Sequence, residues 1–252
     1  MPNHEYAVVA VDLETTGVDK DKDNIVQVAA VLSYCTGNEM TRPRTIFSTL
    51  CNPGHPIPEE VSKVHGITDE DVRWSPSQSW ALFNLKNLVN SLKAHYKVVL
   101  AGQNQVRFDI PFMDGKLKKP FFREFPTLDT YIEVMRHYPT WEHKLGPLYE
   151  KVVCKKAVDA HDAAADCHMV LEILSSMVSN YDHIQDMINA QASPVVLDHM
   201  PFGKYKGVEM RDVPLSYIEY CVQNFTDMAP DIMVTLDHWL KEKTSNAKSV
   251  GT

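Results

Sequence analysis

The sequence predicts an α/β protein, and three stretches carry that expectation. Tyr6–Gly17 (YAVVAVDLETTG) is a continuous apolar run that ends in two acids, the pattern of a central strand covered on both faces. Ile25–Tyr34 is a second apolar run, separated from the first by the charged tip Asp19–Asn24, which predicts a hairpin. Val98–Gly102 runs from a short buried strand into Gln103–Phe112, predicted here as a helix, so that the pair forms half of a βαβ unit.

The first stretch carries the chemistry. Asp12 and Glu14 are two residues apart, so a strand presents both side chains on one face at its carboxyl end. Two like charges side by side are costly to bury, and hard carboxylate oxygens suit Mg²⁺ or Mn²⁺. On these residues alone, a metal cradle and a solvated strand end before a Thr-Thr-Gly turn both fit.

Further along, Arg44–Leu50 predicts a third strand. Pro58–His65 has proline and two acids in its first turn and Gly66 at its end, the marks of a short helix. Thr68 caps a further turn at Asp69–Val72. Ser77–His95 carries Trp80, Phe83, Leu85, Leu88 and Leu92, a stripe expected to lie against the sheet. Pro126–Thr130 predicts a short strand, with Asp129 or Thr130 opening a helix through Arg136, and Tyr138–Leu148 is expected as a loop. Asp162 is placed to cap a helix bearing Asp166 and the apolar positions Met169, Val170, Ile173, Leu174 and Met177. Residues five apart on an ideal helix diverge by about 140°. His161 can therefore share a site with Asp166 only from the loop before that helix.

Composition bounds the function. The chain has 252 residues, enough for one large domain or one domain with an appendage, and its net charge of -8 excludes a broad basic face for nucleic acid. Local phosphate contact through a bound metal and a few lysines stays open. The five cysteines are scattered without a CxxC pair and are expected as reduced thiols; Cys154, His161, Cys167 and His168 match no common structural zinc spacing. There is no leader-like N-terminus and no apolar run approaching the ~20 residues of a membrane span, so a cytoplasmic protein with no membrane partner is expected.

Taken together, Asp12-x-Glu14-Thr-Thr-Gly, His65-Gly-Ile-Thr, Asn104-x-x-x-Phe108-Asp109 and His161-x-x-x-x-Asp166 resemble the DEDDh, or DnaQ-like, family of 3′-to-5′ exonucleases. The resemblance covers about residues 6–181. It implies an RNase H-like fold: a mixed five-stranded sheet with helices on both faces. It also implies two divalent ions, Mg²⁺ or Mn²⁺, held by Asp12, Glu14, Asp109 and Asp166, with His161 as general base. Thr15, Thr16, His65, Asn104 and Phe108 would line the pocket for the terminal nucleotide. Gln103 departs from the family, in which many relatives have His or Ala before the asparagine.

Past a linker expected at 182–194, the segment 195–243 resembles the C-terminal module of exodeoxyribonuclease X, through Met200-Pro-Phe-Gly-Lys-Tyr-Lys-Gly207 and Asp212-Val-Pro-Leu-Ser-Tyr217. Its helices are expected to start at Pro214 and Pro230, the second with a stripe at Ile232, Met233, Leu236, Trp239 and Leu240. Residues 244–252 are expected as a flexible tail. Lys204 and Lys206 flank Tyr205, an alternation that suits either a solvated turn or contacts to a nucleic acid strand. The expected substrate is DNA at its 3′ end, giving nucleoside 5′-monophosphates. An exoribonuclease and a non-catalytic nucleic-acid-binding or polymerase-docking module are the alternatives. The residues themselves offer nothing that selects a polymerase or repair partner.

Overall fold

A computed structural model describes residues 4–157, 162–225 and 228–249. The chain divides into two units, Met1–Tyr131 with His143–Gln191, and Ile132–Glu142 with Ala192–Thr252. In the first unit the strands are β1 (Tyr6–Thr15), β2 (Ile25–Thr36), β3 (Glu39–Met40), β4 (Arg44–Leu50), β5 (Lys97–Gly102) and β6 (Thr127–Asp129). Among the described residues these six form one mixed sheet in the order β3-β2-β1-β5-β6, with β4 also paired to β2. The five expected strands are present, and the sixth is a two-residue addition on the end of β2.

β1 lies in the middle because it is apolar on both faces. Its residues from Tyr6 to Val11 are buried. Ala7, Val9, Val11 and Leu13 join one core cluster with Leu82, Leu85 and Val89 of helix α3 (Gln78–Lys93) and with Phe112 and Met113 of helix α4 (Asp109–Leu117). By strand alternation, Val8, Ala10, Asp12 and Glu14 point to the other face. There helix α7 (Ala163–Val178) packs against β1 and β2, burying the predicted Met169, Val170, Ile173, Leu174 and Met177.

Between these elements, helix α1 (Glu59–His65) ends at Gly66 with φ 75°, a left-handed position that suits glycine. Helix α2 (Asp69–Val72) starts with the Thr68–Asp71 capping box, and Ser77 caps α3 by accepting from the Trp80 N–H.

Four expectations are corrected by the structure. The face that α3 buries is Ala81, Leu82, Leu85 and Val89, while Trp80 and Phe83 are 51% and 60% exposed. The helix after β5 begins only at Asp109; Asn104 has a left-handed φ of 60°, which turns the backbone out of a helical path. The expected loop at 138–148 stops early, because helix α6 occupies Leu145–Val153. Within the stretch expected as a linker, helix α8 (Ile184–Gln191) packs beside β6 with Ile184, Met187 and Ile188 buried.

In the second unit, helices α9 (Leu215–Asn224) and α10 (Pro230–Ser249) pack together and start after Pro214 and at Pro230 as expected. α10 runs on to Ser249, within the stretch predicted as a flexible tail, and its Met233 is exposed rather than packed. The preceding turn closes with Met200 N–H to Val208 O at 2.8 Å and Gly207 N–H to Met200 O at 2.7 Å. Helix α5 (Thr130–His137) brings Arg136 to Asp231, a pair with both side chains more than nine-tenths buried. No described helix is long and apolar enough to cross a membrane.

Candidate active site

The carboxyl end of β1 is where the sheet opens. The parallel ladder with β5 ends at Ala10↔Ala101, while the antiparallel ladder with β2 continues to Glu14↔Gln27. Asp12 and Glu14 therefore project from a strand end that β5 no longer flanks, the kind of crevice where α/β folds bind ligands. A bulge between Glu14 and Thr15 breaks the register just after the second acid. In the turn that follows, a Cβ at Gly17 would displace the Asp23 carboxylate, which accepts from the Asp19 N–H at 2.8 Å. Thr15 Oγ1 donates to Gly17 O at 2.6 Å and Thr16 Oγ1 to Asp23 Oδ1 at 3.3 Å, so both hydroxyls are built into this turn.

Asp166 completes a compact group. Asp12, Glu14 and Asp166 each offer an oxygen, and the three oxygens lie within 4.8 Å of one another; among the described residues this is the group able to hold a metal. Asp109, the first residue of α4, is buried, and the Leu13 backbone hydrogen-bonds its carboxylate. Its charge acts on both Asp12 and Glu14.

Loss of water, then the charges of Asp109, Asp166, Glu14 and Asp162, push the Asp12 carboxyl well above the usual range. Glu14 is pushed up to about 8 by desolvation first and by Asp166, Asp109 and Asp162 after it. Asp109 is likewise raised to about 8, chiefly by burial. Closely spaced hard oxygens, short of water and repelling one another, fit one or more divalent cations, whose charge would offset both the lost hydration and the repulsion.

A pH dependence follows. Glu14 titrates near its ordinary value of 4.5 in the unfolded chain and at about 8 in the folded one. The folded state therefore holds the extra proton between those values, and the stability it contributes, full at low pH, is lost as pH rises through about 8. Thermal unfolding in EDTA should show a lower midpoint at about pH 8.5 than at about pH 6. Glu14→Gln should reduce that slope, leaving the share that Asp109 contributes over the same range, and Mn²⁺ should restore the midpoint at the higher pH. A metal-free protein with equal midpoints at both pH values would contradict the electrostatics of this site.

The other predicted residues take varied places. Asn104, at its left-handed φ, donates its N–H to Asp129 Oδ1 at 2.7 Å, and Phe108 packs its ring 5.6 Å from that of Phe112. Asp129 caps α5 through the Tyr131 N–H, as expected, and in addition holds the 104–106 loop through Asn104 and Val106. His65 Nδ1 accepts from the Ile67 N–H at the end of α1. His161 lies outside the described residues. In the second unit, Lys206 Nζ donates to Trp141 O at 2.7 Å, whereas Lys204 Nζ lies 5.4 Å over the Tyr205 ring.

Sequence reasoning missed one member of this neighbourhood. Gln27, opposite Glu14 on β2, donates to the Asp162 carboxylate and accepts from the Ala163 N–H. Its signal was a single amide within the otherwise apolar run IVQVAAVL.

Comparison with known proteins agrees with this geometry. Residues 9–174 match the family model RNase_T, described as Exonuclease. Residues 189–225 match a second model, QSregVF_b, named for a quorum-sensing-regulated virulence factor. The DNA polymerase III PolC-type of Streptococcus agalactiae is 28% identical over 188 residues, which cover 71% of this chain and 12% of that protein. The PolC-type polymerase of Streptococcus pneumoniae is 27% identical over 150 residues, 58% of this chain and 9% of that one. The chain thus spans a small fraction of the length of these relatives.

Two solved structures share the fold. E. coli exonuclease I in complex with an oligonucleotide superposes with a TM-score of 0.55 at 18% identity, covering 74% of this chain and 43% of that one. A 3′-exonuclease from a structure of histone mRNA stem-loop recognition gives 0.55 at 14%, covering 73% and 85%. The matched exonuclease stretch takes in Asp12, Glu14, Asp109 and Asp166 and more than half of the sequence, so the chain belongs to the RNase_T, or DnaQ-like, exonuclease family.

Proposed function

We propose that the chain hydrolyses DNA from its 3′ end, releasing nucleoside 5′-monophosphates. The observation that carries this is the gathering of Asp12, Glu14 and Asp166 within 4.8 Å at the open end of β1, with the Asp109 charge acting on the same group. Asp12, Glu14, Asp109 and Asp166 would hold two Mg²⁺ or Mn²⁺ ions. When bound, these ions supply positive charge for the attacking and departing oxygens of a phosphodiester. His161, one residue before the Asp162 cap, takes the proton of the attacking water. Thr15, Thr16, His65, Asn104 and Phe108 shape the pocket for the terminal nucleotide.

The preference for DNA draws support from the PolC-type polymerases among the relatives. Incubating 5′-labelled DNA and RNA oligonucleotides, single-stranded and duplex, with Mg²⁺, Mn²⁺ or EDTA tests the whole proposal. The expected result is a ladder of shortened DNA in either metal and none in EDTA. Shortening of RNA alone would make the protein an exoribonuclease. No cleavage of either substrate would leave a non-catalytic binding or polymerase-docking module.

Binding by the second unit is tested separately. Lys206 is committed to Trp141 O, so Lys204 is the better candidate for a phosphate contact. Lys204→Ala should weaken binding of a single-stranded oligonucleotide and reduce the slope of log affinity against log salt by about 0.7, the value for one phosphate contact on a single strand. Lys206→Ala should also lower the unfolding midpoint. Fluorescence anisotropy across a salt series gives the affinity and the salt slope for DNA, and thermal unfolding gives the midpoint. An unchanged slope in Lys204→Ala would make the turn purely structural.

A further inference from the structure

Gln27 is 7% exposed, in a strand whose neighbours Ile25, Val26, Val28, Ala29 and Ala30 are fully buried and apolar. A buried amide in such a strand is costly unless both its ends are matched. Here they are. Nε2 donates to Asp162 Oδ2 at 2.9 Å, and Oε1 accepts from the Ala163 N–H at 3.1 Å. The other Asp162 oxygen accepts from the N–H groups of Ala164 and Ala165 at 3.1 and 3.0 Å. All three N–H groups that open α7 are thereby satisfied by a unit of two side chains anchored on β2. Asp166 follows directly, its N–H bonded to Asp162 O at 2.9 Å.

On the exonuclease reading given above, we infer that Gln27 is a positioning residue: its amide pins the first turn of α7 to β2 and so delivers Asp166 to Asp12 and Glu14. The register strengthens the inference, because Gln27 is the β2 partner of Glu14 itself. The same strand pair thus fixes one metal-binding acid directly and another through the clamp.

The chemistry selects an amide at this position. Asp162 is a further carboxylate near the group, and its charge acts on both Asp12 and Glu14. Lysine or arginine at 27 could hold Asp162, but would bring a fixed positive charge to a place meant for a metal. Glutamate would lose the donor and add one more repulsion. A neutral group with a donor at one end and an acceptor at the other does neither harm.

Three variants of the full chain test this: Gln27→Met, Gln27→Glu and the double variant Gln27→Glu/Asp162→Asn. In the double variant the hydrogen bonds are rebuilt with reversed roles. The new carboxylate at 27 accepts from Ala163, while the new amide at 162 caps with its oxygen and donates to position 27 with its nitrogen. Each variant is read by calorimetric Mn²⁺ affinity, by kcat and KM on a labelled single-stranded DNA, and by its unfolding midpoint.

Both single variants should lose about 10- to 100-fold in Mn²⁺ affinity and in kcat, the scale at which residues that orient metal ligands act, with KM changed less than about threefold. The double variant should recover most of both. Wild-type Mn²⁺ affinity in Gln27→Met overturns the inference, and so does a double variant no better than Gln27→Glu. Unfolding of Gln27→Met that the double variant does not repair would make Gln27 a folding residue and also overturns it. Mn²⁺ affinity can be read without cleavage, so failure of the exonuclease reading and failure of the clamp are separate results.

Discussion

Asp12→Asn is expected to reduce metal-dependent cleavage by about two orders of magnitude or more, the scale seen when a group that stabilises reacting charge is removed. Asp166→Asn should do the same. Both residues sit in the compact acid group, so each substitution withdraws one negative charge where Asp12, Glu14 and Asp166 converge. Stability should move the other way. The charges acting on Asp12 come from Asp109, Asp166, Glu14 and Asp162, and a neutral amide ends that repulsion. The metal-free variant should therefore unfold at or above the wild-type midpoint at about pH 8, and Mn²⁺ should raise that midpoint less than it does in wild type. Loss of cleavage together with loss of fold would mean that the acid is structural. Cleavage at more than about a tenth of the wild-type rate would remove Asp12 from the metal-binding set.

Much of this site was legible because its signals are local. A strand buried on both faces tolerates few charges, so DLE at the end of AVVAV stands out from the local sequence alone. Period two then placed both acids on one face, and that face is where α7 packs. Asp162 was readable as a cap for the same reason: its partners are its own helix N–H groups. Gln27 was not, since its two partners lie about 135 residues away and only folding brings them close.

The misplaced helix features have physical causes too. In α3 the expected stripe at Trp80, Phe83, Leu85, Leu88 and Leu92 is right at Leu85 and at Leu92, which packs on the core, but Ala81, Leu82 and Val89 also satisfy helical spacing and took the buried face in place of Trp80 and Phe83. α6 was hidden by Gly146 and Pro147, yet proline in a first turn costs a helix nothing, because its missing N–H has no partner there. The loop before α4 depends on a left-handed Asn104 held by Asp129, a pairing across 25 residues that no local pattern announces.

Asp231→Ala is expected to destabilise the second unit by about 3–5 kcal/mol, the cost of removing one partner from a buried ion pair. Arg136 Nε donates to Asp231 Oδ2 at 2.5 Å and Nη2 to Oδ1 at 2.9 Å, a two-point pairing in which the side chains are 7% and 3% exposed. Asp231 Oδ1 also accepts from the Val195 N–H at 3.3 Å, and Arg136 donates to Ser193 O at 2.9 Å. Alanine would take both of these carboxylate contacts from the buried guanidinium and would free the Val195 N–H. Asp231→Asn, which keeps acceptors but not charge, should cost less. Arg136→Met with Asp231→Leu, which removes both charges, should cost least, because no ion is then left to desolvate. Urea unfolding would order the three variants, and a midpoint for Asp231→Ala equal to that of the double replacement would contradict the argument. The pair also bears on where the chain can be cut. The sequence reading sets the segment 195–243 behind a linker expected at 182–194, as a module that could be cut away. The second unit, however, includes Ile132–Glu142, inside the matched exonuclease stretch. A chain ending at Ala192 keeps Arg136 and loses Asp231, so it should behave like Asp231→Ala or worse. If the shortened chain instead unfolds at the wild-type urea midpoint, the ion pair contributes nothing to the stability of the remaining chain.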